Sequence, residues 1–127
     1  MSDQTVRDVM QEALRLSTRL EAVTNETYKV ASKLAEATHE HEQATAVVWA
    51  KVRDECAGKE GPGGKWLLRD FEEEVTKRTG STGRPLGALK AESHALDAAS
   101  RNLRGQLSAC QSVAAALREE MRLAGGV

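Results

Sequence analysis

Apolar residues recur every seven positions over the first fifty residues of this chain. One row carries Val6, Ala13, Leu20, Thr27, Leu34, His41 and Val48; the other carries Val9, Leu16, Val23, Val30, Ala37 and Ala44. Thr27 and His41 are the only polar members. Two interleaved rows of this kind form a stripe along one α-helix, the pattern of a helix packed lengthwise against another. No glycine or proline interrupts the stretch. Asp3 or Ser2 can cap its start and Gly58 can end it, so the pattern predicts one helix over residues 4–57. At about 1.5 Å per residue that helix would be roughly 80 Å long, which requires a packing partner.

The pattern stops at the linker Gly58–Gly64 (GKEGPGG), whose glycines and Pro62 cannot continue a helix. A short helix is predicted over 65–78, with Trp66, Leu67, Phe71 and Val75 near one face. The segment TGSTGRP, residues 79–85, reads as a polar turn. The last helix is predicted over 86–124 and is ended by Gly125 and Gly126. Its first row is Leu89, Leu96, Leu103, Cys110, Leu117 and Ala124. Its companion row, Glu92, Ala99, Gln106, Val113 and Glu120, is broken, and Leu107, Ala114 and Met121 carry the stripe one residue further on. That displacement predicts a broad contact face.

These elements predict an all-α fold: one domain over 1–127, built as a long antiparallel helical hairpin of coiled-coil type with a short helix at the bend. The last helix is the shorter one. Folded back, it would cover the second two-thirds of the first and leave Val6, Val9 and Ala13 exposed. Exposed seam residues call for another contact, so self-association is expected, as a dimer or higher.

Composition agrees with narrow seams. Aromatic residues are 3% of the chain, one Phe, one Tyr and two Trp, so large rings supply little buried area. The net charge of −1 argues against a globally basic nucleic-acid binder but leaves room for a local patch. No apolar run approaches the roughly 20 residues that span a bilayer, and the N-terminus lacks the order of a signal peptide. No membrane association and a cytoplasmic location, that of an infected host included, are the expectations. Cys56 and Cys110 are expected to be reduced, with a disulfide as the alternative.

Candidate chemistry is sparse. His39 and His41 lie about 200° apart on a helix and cannot share one ion. Glu72, Glu73 and Glu74 have no matching polar pocket and read as a solvated face. Gly61–Lys65 is glycine-rich, but Lys65 is followed by Trp66 and no strand precedes it, so it is not a P-loop. No catalytic group, metal, cofactor or small-molecule substrate is expected. The most suggestive stretch is Val75 to Ala91, which has no acid but holds Lys77, Arg78, Arg84 and Lys90. With Gly80 and Gly83 allowing close approach, these four cations are candidate nucleic-acid-binding residues. The alternative is an ordinary loop whose cations match a helix C-terminus. Arg101, Arg104, Arg118 and Arg122 lie roughly on the face away from the leucine seam.

The closing segment RNLRGQLSACQSVAAALREEMRLAGG, Arg101 to Gly126, resembles the C-terminal helix of small coiled-coil proteins encoded by tailed bacteriophages. The resemblance rests on a Leu-Arg-x-x-Leu element (103–107), a mid-helix Gln-Ser (111–112) and a closing Arg-Glu-Met-Arg, which stands here with a second Glu as residues 118–122. The glycine-rich linker and the helix carrying Trp66 depart from that pattern. The resemblance implies a phage protein with a single-stranded DNA role. Together with the fold, a non-enzymatic interaction protein is expected: first binding of single-stranded or duplex nucleic acid through Lys77, Arg78, Arg84 and Lys90 in recombination or replication, then inhibition or adaptation of a host protein, then a virion assembly role. Secreted hairpins of the WXG type have a similar length, but Trp66 here is followed by Leu67 and Leu68, so their defining tripeptide is missing.

Overall fold

The computed structural model describes residues 3–56, 58–61 and 63–125. The capping roles expected of Ser2 and of the Asp3 side chain, Ala57 at the predicted helix end, Pro62 and Gly126 lie outside the described residues. Five elements follow in order: α1 (Asp3–Cys56), β1 (Glu60–Gly61), β2 (Gly64–Lys65), α2 (Leu68–Arg78) and α3 (Gly80–Ala124). The fold is all-α, a hairpin of two long helices packed against each other with a short helix between them. The chain divides into two compact units, Met1–Lys29 with His94–Val127, and Val30–Ser93.

In the first unit α1 and α3 run antiparallel. Arg118 Nη2 lies 3.1 Å from Met10 Sδ, which sets the end of α3 beside the start of α1. Leu16, Leu103, Ala114 and Leu117 are buried, and Val6, Val9, Leu20, Val23 and Leu96 are half-buried. Leu16 is 1% exposed; burying a leucine to that degree contributes about 1.5–3 kcal/mol. The expectation that the first turns of α1 stand uncovered is corrected: α3 reaches them, and Val6, Val9 and Ala13 are half-buried.

In α3 the displaced stripe of Leu107, Ala114 and Met121 is the inner one, as expected, and it continues toward the N-terminus. Leu86, Ser93, Ser100, Leu107, Ala114 and Met121 are all buried or half-buried, whereas Glu92, Gln106 and Glu120 are exposed. The row of Leu89 and Leu96 is thus paired with positions three residues earlier, not three later. Val113, expected in the seam, is 48% exposed and stands at its edge; Ala114 takes the inner position.

In the second unit Val30, Val52, Val75, Thr79 and Leu86 are buried, and Leu34 and Leu89 are half-buried. α2 lies against the end of α1. The Phe71 ring sits 6.1 Å from that of Trp49 and 5.4 Å from that of Trp66. α1 runs to Cys56, and Gly58, the expected terminator, has a φ of +77°, open to glycine at little cost. The linker then forms a minimal antiparallel hairpin with Gly61 opposite Gly64, an element the sequence reading missed. Gly61 has a packing role: a Cβ there would stand 2.8 Å from the Trp66 indole.

The short helix starts at Leu68, three residues later than predicted, because Lys65 pairs in β2. Asp70 Oδ2 accepts the Leu67 N–H at 2.9 Å, the half of a capping box open to a leucine N-cap. Leu67 and Leu68 are exposed, so Leu67 does not share the inner face of Phe71 and Val75.

The predicted turn over 79–85 is corrected as well. α3 begins at Gly80 and carries Pro85 inside it. Thr79 ends α2 and starts α3: its N–H donates to Val75 O at 3.0 Å, and its carbonyl accepts from the N–H groups of Thr82 at 3.1 Å and Gly83 at 2.8 Å. Pro85 forfeits one main-chain bond in the second turn. Tertiary contacts to Thr82 and Gly83 offset the poor local propensity.

Candidate binding surfaces

The predicted basic turn is a helix junction beside a groove of about 710 Å³ in the second unit. His41, Thr45 and Trp49 of α1 line one side, with Glu72, Lys77 and Arg84 among the residues on the other. Of the four candidate cations, the structure brings Lys77 and Arg84 to this groove. Arg78 is engaged elsewhere: Nη1 donates to Glu55 at 2.8 Å and Nε to Glu74 at 2.8 Å. The hydrogen bonds it donates to Glu74 and then to Glu55 hold its guanidinium above its ordinary pKa. Lys90 lies six residues beyond Arg84, a rotation of about 240° on an α-helix, so the two point in different directions. Glu72 adds negative charge to the lining. The acid-free run is real in sequence, but folding supplies acids from α1 and from earlier in α2.

The glycine expected to admit a phosphate has another neighbour. A Cβ on Gly83 would stand 3.3 Å from His41 Cε1. His41 Nδ1 and Thr82 Oγ1 are hydrogen-bonded at 2.9 Å, and Thr82 Oγ1 donates to Thr79 O at 3.1 Å. Both polar seam positions of α1 are therefore satisfied, since Thr27 Oγ1 donates to Val23 O at 2.8 Å. Thr45 differs: its hydroxyl is buried in the groove wall without a hydrogen-bond partner among the described residues. His39 is exposed while His41 is half-buried, as their angular separation requires.

A second groove, of about 970 Å³, lies in the first unit and is mostly apolar. Its floor is Val6, Met10 and Leu14 of α1 with Met121 of α3, and its rim carries Arg7, Arg118 and Arg122. Met10 is 47% and Leu14 69% exposed. Val6, Met10 and Leu14 are spaced by four, so they form one stripe beside the seam. That spacing is the signal in the sequence, and the two heptad rows hide it because Met10 and Leu14 fall outside both. Arg122 hydrogen-bonds Glu119, which lowers the Glu119 pKa and raises that of Arg122. Arg118 touches the Met10 sulfur, and neither it nor Arg7 has a carboxylate partner among the described residues.

Cys56 and Cys110 are both free and half-buried, in different units. Among the described residues no helix is long and apolar enough to cross a membrane, and no cluster of three or more His, Cys, Asp or Glu side chains forms a candidate metal site. Comparison with known protein families, curated proteins and solved structures gave no match.

Proposed function

We propose that this chain is a non-enzymatic helical protein, of the type tailed phages encode, that works by docking a macromolecule on its helix faces. The groove of Val6, Met10, Leu14 and Met121 carries this reading. Large apolar side chains left in water along a continuous stripe, rimmed by cations, are the features of an interaction surface. Methionines suit the purpose because the unbranched thioether adapts to its partner. A photo-crosslinking amino acid placed at Leu14 should capture a specific partner in cells; the same group at exposed Tyr28 should not. Equal labelling at both positions would overturn the reading.

A second reading is nucleic-acid binding at the groove beside α3, favoured by the placement of Lys77 and Arg84 on one lining. Its test is a salt-sensitive gel shift with short single-stranded DNA. Binding at low salt that disappears in the Lys77→Ala, Arg84→Ala double variant supports it; no shift at low salt ends it.

A further inference from the structure

The apolar, arginine-rimmed groove suits an occupant with exposed aliphatic side chains and negative charge. The chain itself displays one. At the start of α2, Leu67 and Leu68 are 58% and 67% exposed. Beside them stand the exposed carboxylates of Glu72 and Glu73, with Arg69 the nearby cation. Leu68 and Glu72 are four residues apart and share a face. Leu67, Asp70 and Glu73 line a shallow surface depression together. Phe71 packs on Trp49 and Trp66 and Val75 is buried, so what α2 leaves exposed is its N-terminal end, Leu67 and Leu68, with Glu72 on one flank and Glu73 on the other.

We infer that the arginine-rimmed groove of one copy binds the N-terminal end of α2, Leu67 and Leu68, from a second copy, with the flanking carboxylates against Arg7 and Arg118. This rests on the docking role given above to that groove and names its partner. Charge selects this arrangement over a face-to-face dimer. Two grooves apposed would set Arg7, Arg118 and Arg122 against their own equivalents, and like charges at an interface are repulsive. A groove-to-α2 contact joins two different surfaces, so it is heterologous. Each copy retains a free groove and a free α2 face, and assembly continues into a ring or an open chain. Leu67 and Leu68 supply apolar area to Met10 and Leu14, while Glu72 and Glu73 meet the rim.

The test uses two variants of the full chain, Leu14→Asp to spoil the groove and Leu68→Asp to spoil the α2 face. Both positions are solvent-exposed, and circular dichroism confirms that helix content is kept. Sedimentation of the unaltered protein from 1 to about 200 μM at low salt should show concentration-dependent oligomers, weakened at least tenfold in 0.5 M salt. Each variant alone should stay monomeric. An equimolar mixture should form heterodimers and stop there, because the spoiled groove and the spoiled α2 face end the chain at both sides. A monomeric unaltered protein overturns the inference. So does a Leu68→Asp variant that still self-associates, which would mean a face-to-face dimer, or a mixture that stays monomeric. The crosslink at Leu14 separates this from the broader reading. Capture of a second copy supports both, capture of a different protein sinks only the self-docking inference, and no specific capture sinks the docking role itself.

Discussion

His41 Nδ1 and Thr82 Oγ1 are hydrogen-bonded at 2.9 Å, and this pair ties α1 to the first turn of α3. It gives a polar seam residue a partner and holds Thr82 where its N–H can reach Thr79 O. Replacing Thr82 by Val keeps the shape and removes the hydroxyl. The expected cost is about 1 kcal/mol, a fall in melting temperature of roughly 2–8 °C. A thermal melt by circular dichroism measures it, and an unchanged midpoint would mean that the contact contributes nothing.

Glycines in α3 divide by what surrounds them. A Cβ on Gly87 or Gly105 would meet nothing within 4 Å, whereas on Gly83 it would press on His41. Gly87→Ala and Gly105→Ala should each stabilise the chain by about 0.5–1 kcal/mol, the ordinary gain of alanine over glycine within a helix. Gly83→Ala should fall short of that gain or reverse it. Urea midpoints of the three variants compare them directly.

Leu14 and Leu16 are two residues apart but have opposite surroundings. Leu16 is 1% exposed, and Leu16→Ala should destabilise by about 2–5 kcal/mol through lost transfer energy and a cavity. Leu14→Ala should stay within about 0.5 kcal/mol in the isolated protein, as surface changes do. A large loss on truncating Leu14 would place it in the folding core and remove it from the docking surface.

Gly61 is the floor under Trp66. Gly61→Ala should force the indole, 2.8 Å from the new Cβ, away from its place. Tryptophan emission and near-ultraviolet dichroism should change while far-ultraviolet dichroism of the long helices does not. Identical emission before and after would show that Trp66 does not rest on that backbone.

Acid should weaken the fold slightly through Glu12 and Glu119. The hydrogen bonds from Arg15 and Arg122 lower both pKa values below 4.5. A lowered carboxylate pKa stabilises above the unfolded value, and that stability is lost as pH falls through the folded value. Melting temperature should therefore drop below pH 4.5. The Glu12→Gln, Glu119→Gln double variant should show a shallower drop, a small difference because both pairs are exposed.

Much of this architecture can be read before folding. Every member of the two α1 rows is buried or half-buried, because seven-residue spacing follows from the helix repeat alone and holds whatever the partner. Gly58 as the helix end is local too, since a left-handed backbone is a property of that residue. Other features depend on neighbours far along the chain. The displaced stripe of α3 through Leu107, Ala114 and Met121 is legible as well, but that Val113 stands at the edge and that Ser93 and Ser100 extend the seam depends on what lies opposite. The first turn of α3 gains a contact from His41, forty-one residues before Thr82, that local propensity does not supply. Arg78 is withdrawn from the basic patch by Glu55, twenty-three residues earlier, and charge seen along a sequence cannot anticipate an ion pair across a fold. Heptads report how a helix meets its neighbour, while register, groove and charge pairing arise only when two helices meet.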